Sequence, residues 1–166
     1  MLGSFKTFYL ECQLMPKLDL SVIPVRRGSN YPAPFAERTA GRAKQALGAA
    51  CGLKDFGVNL TTLPPGSWSS QRHWHSEEDE FVYVISGELT LVTDAGEQPL
   101  QAGDCVAFPK NTPDAHHMIN RGNQVAVYLD IGSRWPSDIC RYPDIDLHAD
   151  RGGYSHKDGQ RYPHQG

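Results

Sequence analysis

From residue 56 to residue 131 the chain is a series of short apolar runs, each closed by a turn signal. Phe56–Leu63 alternates and stops at Pro64-Pro65-Gly66; Glu80–Ile85 stops at Ser86-Gly87; Glu88–Thr93 stops at Asp94-Ala95-Gly96. Pro99-Leu100 leads into Ala102-Gly103-Asp104, Cys105–Phe108 runs into the turn region Pro109–Pro113, and Gln124–Ile131 follows Arg121-Gly122-Asn123. Side chains of a strand alternate between two faces, so this spacing of short runs and turns predicts an all-β sandwich or barrel. Glu88–Thr93 is expected to pair back on the run before it, with Asp94–Gly96 as a hairpin turn.

A chain of 166 residues fits one domain and buries a core without disulfide help. Its expected divisions are an extension over 1–14, an N-terminal arm with the first strand or strands over 15–55, a barrel core over 56–132, and a C-terminal tail over 133–166. Tyr31-Pro32-Ala33-Pro34 marks the arm as extended chain. Ala36–Leu47 reads as a helix from its Ala, Glu, Arg and Lys content, or Arg42–Leu47 as an early strand, and both stay open. The tail is too polar to make a core of its own, although Trp135, Ile139, Tyr142, Ile145 and Leu147 offer anchors.

The formal net charge is −3, with no basic stripe, which argues against a nucleic-acid or anionic-membrane partner. No apolar run is long enough to span a membrane, and Met1–Leu14 lacks the pattern of a signal peptide, so a cytoplasmic location is expected. Cys12, Cys51, Cys105 and Cys140 are scattered, and all four read as structural, with Cys105 a small buried hydrophobe.

The chemistry concentrates in His73-Trp74-His75. Two histidines separated by one residue share a strand face with Cα atoms about 6.6 Å apart, so both imidazoles can turn to one ion. Glu80 adds a carboxylate at the entry to the next apolar run, and His116 is available downstream. Three imidazoles and one carboxylate leave open positions on an octahedral divalent ion. The bland alternative is a pair of ordinary hydrogen-bonded histidines. Trp74 should pack on the opposite face, and Glu77, Glu78 and Asp79 read as a solvated acidic loop. Trp68, Arg72, Tyr83 and Tyr128 are candidates for a pocket rim, while His148, His156 and His164 are expected in solvent.

Taken in order, these residues resemble the two motifs of the cupin superfamily. The first reads Gly66…His73-Trp-His75…Glu80…Gly87, and the second Gly103…Pro109-Lys-Asn111…His116…Asn120, with fifteen residues between them. The resemblance covers roughly residues 56–131. Flanking segments Met15-Pro-Lys-Leu-Asp-Leu and Tyr142-Pro-Asp-Ile-Asp-Leu147 look like a small single-domain bacterial group without a settled function. The family implies a double-stranded β-helix (jelly-roll) barrel, here with extended arms at both ends. It also implies one divalent ion per chain (Fe, Mn, Zn or Ni) on His73, His75, Glu80 and His116. The chain departs from the pattern in three ways. One extra residue precedes His73, and Asn111 replaces a glycine, which Asn tolerates in the left-handed region. The family spacing also falls on Asp114 where the third histidine belongs. His116 keeps the spacing to Asn120 and is preferred; Asp114 and His117 remain alternatives.

Two function classes follow. One is a metal-dependent enzyme acting on a small polar molecule by lyase, isomerase or dioxygenase chemistry, with Tyr83, Tyr128 and Asp114 as candidate catalytic groups. The other is a non-catalytic module that binds or senses a sugar or organic acid. Exposed sheet edges and arms favour a homodimer.

Overall fold

A computed structural model describes residues 17–163. The segment 1–14, Cys12, Met15 and His164 therefore lie outside the described residues. The strands in chain order are β1 (Val25–Arg27), β2 (Ala43–Gln45), β3 (Phe56–Leu63), β4 (Trp74–His75), β5 (Glu80–Ser86), β6 (Glu88–Thr93) and β7 (Gly96–Gln101). They continue as β8 (Cys105–Phe108), β9 (His117–Ile119), β10 (Ala126–Ser133), β11 (Cys140–Tyr142), β12 (Leu147–Asp150) and β13 (Gly153–Ser155). One α-helix, α1 (Leu47–Ala50), makes a single turn. The open question over 36–47 resolves into a short 3₁₀ turn at Glu37–Thr39 and the strand β2. Among the described residues no helix is long and apolar enough to cross a membrane.

All pairing is antiparallel. A six-stranded sheet runs β1-β2-β3-β10-β5-β8, a three-stranded sheet β7-β6-β9, and a four-stranded sheet β13-β12-β11-β4. Isolated bridges Trp68–Ile119 and His73–His116 tie the last two together along one side. The large sheet contributes Leu63, Val82, Val84, Ala126 and Tyr128 to the main core; the sheet facing it contributes Leu89, Leu91, Leu100 and Met118. Alternation explains this packing. Along β5, Val82 and Val84 point inward while Phe81, Tyr83 and Ile85 point out, and burying each leucine or valine contributes about 1.5–3 kcal/mol.

One expected pairing is corrected. β6 does not fold back on β5, because β5 pairs with β10 and β8 while β6 pairs with β7 and β9. The single residue between them, Gly87, carries the chain from one sheet to the facing one at φ +78°, and a Cβ there would lie 2.7 Å from Ala126 Cα and Val125 O. Glycine is required on both counts, a left-handed backbone and a close approach. Asp94-Ala95 does form the expected hairpin turn, with Thr93 opposite Gly96.

The tail is also more structured than its composition suggests. β11, β12 and β13 make a sheet with β4, and Tyr142, Cys140 and Leu147 pack with Tyr31 of the N-terminal arm in a second buried cluster. The arm supplies the apolar mass that the tail lacks. Tyr31 meets Tyr142 edge-on at 5.7 Å between ring centroids, a favourable aromatic arrangement. Trp135 is not an anchor, being 54% exposed. Cys105 and Cys51 are exposed, so the reading of Cys105 as a buried hydrophobe is corrected; only Cys140 is buried among the described cysteines.

Candidate metal centre

His73 and His116 sit directly opposite each other, joined by His73 N–H to His116 O (3.1 Å) and His116 N–H to His73 O (2.8 Å). Opposed residues of an antiparallel pair project to the same face. On the other side of the same strand segment, His75 stands opposite Cys140 of β11. The His75 carbonyl is held by the Asn111 N–H at 2.8 Å, and Asn111 takes the left-handed φ of 55° that the missing glycine calls for. Glu80 enters from the first position of β5, in the large sheet.

His73, Glu80 and His116 bring ligand atoms within 4.8 Å of one another, with His75 beside Glu80 but outside that group. Oε2 of Glu80 lies 2.9 Å from His116 Nε2, 3.5 Å from His73 Nε2 and 3.7 Å from His75 Nε2. Adjacent donors on an ion with bonds of about 2.1 Å stand about 3 Å apart, so the spacing suits a divalent cation. The outer nitrogens support the same use. His73 Nδ1 is 2.9 Å from Gln71 O and His75 Nδ1 is 2.6 Å from Asp138 Oδ2, contacts that fix the tautomer with the Nε2 lone pair turned inward. His116 Nδ1 has no hydrogen-bond partner among the described residues; its ring lies flat on Phe108.

Without a cation the cluster holds protons. Burial pushes the Glu80 carboxyl up, but hydrogen bonds from His116 and His73 and the imidazole charges outweigh it and leave it well below the usual carboxylate range. Burial likewise opposes a charged His75, but Cys140, Glu80 and Asp138 prevail and raise it to about 11. Burial holds His116 below its ordinary value. A cation bound among these donors would have to displace the proton that His75 holds at neutral pH.

The other candidates are placed differently. His117 turns away, its Nδ1 3.0 Å from Ser70 O and its ring edge-on to Trp68. Asp114 is exposed in the preceding loop and accepts the Asp94 N–H at 2.8 Å, although it reaches the edge of a small cavity beside His116. Tyr83 is 42% exposed on the outer face of β5, away from the cluster. Tyr128 is buried and lines a 160 Å³ interior cavity together with His73, Glu80 and His116. Arg72 is no rim residue but a clamp, bound by Asp144 and Asp94. Trp68 stacks under Arg38. Trp74 carries Arg141 over its ring.

Three groups escaped the sequence reading. Asp138 bonds His75; Cys140 forms a compact donor group with His73 and His75; Glu78 forms one with His75 and Asp138. Glu77 and Asp79 of the acidic loop are exposed, as expected, and Glu78 is half-buried; all three are also tied down, Glu78 accepting the Trp135 N–H, Asp79 the Lys110 N–H and Glu77 the Ser137 hydroxyl. Burial raises the Glu78 carboxyl above its ordinary value. The signal for these partners was the pairing of β4 with β11, which local pattern does not carry.

Residues 59–132 match the family model described as Cupin domain. The fold is similar to a sugar phosphate isomerase of the cupin superfamily from Silicibacter pomeroyi: 45% identity over 89% of this chain and 97% of that one, with a TM-score of 0.83. It is also similar to a protein from Acidithiobacillus ferrooxidans whose name proposes the same activity, at 34% identity over 75% of this chain and 81% of that one, with a TM-score of 0.65. Protein SchB of Streptomyces halstedii is 30% identical over 98 residues, a match spanning 59% of this chain and 61% of that relative.

Proposed function

We propose, from the premise that this chain belongs to the cupin superfamily, that it is a metal-dependent isomerase of a small phosphorylated sugar. The observation that carries this reading is a cavity of about 550 Å³ with His73 and His75 in its wall and Lys54, Arg134 and Arg151 around it. The acids of the same cavity are already engaged: Asp138 by His75, Asp150 by Arg161 and Glu78 by the Trp135 N–H. The three cations make no ion pair among the described residues. What remains is a cationic mouth beside an imidazole wall, suited to a phosphate at one end and hydroxyl or carbonyl oxygens at the other. The names of the two structural relatives point the same way.

His73, His75, Glu80 and His116 would hold a divalent ion, which would supply Lewis acidity toward the sugar oxygens. Arg134, Arg151 and Lys54 orient the substrate through its phosphate. Glu78, on the wall of this cavity and of the small one beside His116, carries the proton. It takes a proton from the carbon next to the carbonyl as the carbonyl oxygen takes one from solvent, giving an enediol. The adjacent hydroxyl then gives one back to solvent and Glu78 returns its own to the former carbonyl carbon, so the product is an isomer and no oxidant is consumed.

Incubating the metal-loaded protein with a panel of aldose and ketose phosphates in D₂O tests this by NMR. One deuterium on the interconverted carbons is expected, with Arg134→Ala raising KM and Glu78→Gln lowering kcat. Phosphate-dependent binding with no exchange in any member would favour the sensing module instead.

A further inference from the structure

Cys140 is a buried thiol that the proposed chemistry leaves unused, yet it stands opposite His75 across the β4–β11 ladder. The next inward residue of β11, Tyr142, stacks on His73 at 5.7 Å between ring centroids. The C-terminal strand therefore lays two side chains against the two ligand histidines. The ligand atoms of His73, His75 and Cys140 lie within 4.8 Å of one another, the same limit met by His73, Glu80 and His116. The two donor groups share His73. Glu80 and His116 line the interior cavity; Cys140 lines the large cavity with both histidines.

We propose that Cys140 is a further ligand of the metal centre, donating its thiolate from the side of the large cavity and biasing the site toward thiophilic divalent ions. Coordination breaks the Sγ–H bond, forms an Sγ–metal bond and releases the proton to solvent. An oxygen and nitrogen set alone accepts manganese readily, whereas a thiolate favours zinc, cobalt or iron(II). The bond length needed is about 2.3 Å, within reach of a thiol whose sulfur lies within 4.8 Å of a ligand atom of each imidazole. This inference rests on the metal centre of the preceding reading and is independent of its substrate.

The test is a titration of the ion-free full chain with cobalt(II), followed by absorption. Visible d–d bands report binding by the histidines, and a near-ultraviolet sulfur-to-cobalt charge-transfer band reports the thiolate. Both are expected to saturate at one equivalent. Cys140→Ser should keep the d–d bands, lose the charge-transfer band and weaken zinc binding by roughly tenfold or more, with manganese affinity unchanged; Cys105→Ser should change nothing. Normal d–d bands without charge transfer, or a charge-transfer band that survives Cys140→Ser, overturn the ligand role while leaving the metal centre standing. No cobalt bound at one equivalent overturns both. Should Cys140→Ser not fold, X-ray absorption of the zinc-loaded wild type decides: a sulfur shell near ~2.3 Å supports the proposal, and nitrogen and oxygen neighbours alone end it.

Discussion

Leu63 and Leu147 are both fully buried, but they stand in different kinds of core. Leu63 belongs to the main barrel, where long strands present aliphatic side chains from two facing sheets. Leu147 belongs to the C-terminal sheet, whose strands are two to four residues long. Its packing partners are Tyr31, Tyr142 and Cys140, and its edge is secured by charge: Arg72 to Asp144 and Arg161 to Asp150. The first core is a scaffold that needs only apolar volume and alternation. The second is a wall of the site, built from aromatic and polar groups that also face the cavity. The candidate metal centre lies on the seam, with Glu80 from the barrel and His75 on the strand that joins the tail.

This contrast can be broken or sharpened in four ways. The largest effect is expected from Gly87→Val, which puts a β-branched residue at positive φ against backbone; failure to yield soluble folded protein is the expected result, and near-normal thermal unfolding would refute the sheet-crossing role. Next, Leu63→Ala and Leu147→Ala should each cost about 2–5 kcal/mol in denaturant unfolding. Only Leu147→Ala should also loosen metal binding, because it lies under the strand that faces His75; equal loss in both variants would erase the distinction between the regions.

Asp138→Asn should reduce metal affinity about 10–100-fold by removing the carboxylate that orients His75, with little change in the unfolding midpoint of the ion-free protein. Competition against a chelator measures it. The smallest effect belongs to Arg72→Ala, at most about 1 kcal/mol at neutral pH, since Asp144 is partly exposed. The Arg72 guanidinium holds the Asp144 carboxyl below its ordinary value. Its folded pKa is thus lower than its unfolded one, so the contribution is fully present above the ordinary carboxylate range and fades as pH falls through the folded value. The difference in Tm between wild type and Arg72→Ala should therefore shrink with acidification below about pH 4; a constant difference would show that the clamp is not ionic.

The same division governs what could be read before the fold was known. Phe56–Leu63 and Glu88–Thr93 appear with those bounds because period-two alternation is a local property that burial of one face enforces. The pairing of His73 with His75 was legible from strand periodicity, and Glu80 and His116 from the resemblance to the cupin motifs; the structure places all three histidines beside Glu80. Asp138, Cys140 and Glu78 were not legible. Asp138 reaches His75 across 63 residues of sequence, and nothing in either segment announces the partner. The failed pairing of β6 with β5 has a related cause: a glycine turn looks alike in sequence whether it closes a hairpin or changes sheets.

The pairing of β4 with β11 has a consequence for how the site comes into being. A nascent chain that has emerged only through residue 131 holds nearly all of β3 to β10, enough to collapse around Leu63, Val84 and Leu91. The hydrogen-bonding edge of β4 that faces the tail is still open at that stage, and the Asp138 that steadies His75 has not been made. Barrel and centre are therefore separated in time. The scaffold forms from contacts already synthesised, while the carboxylate that orients His75 arrives with a late, long-range segment, so tight ion capture by the candidate centre is expected to follow arrival of the C-terminal segment rather than folding of the barrel.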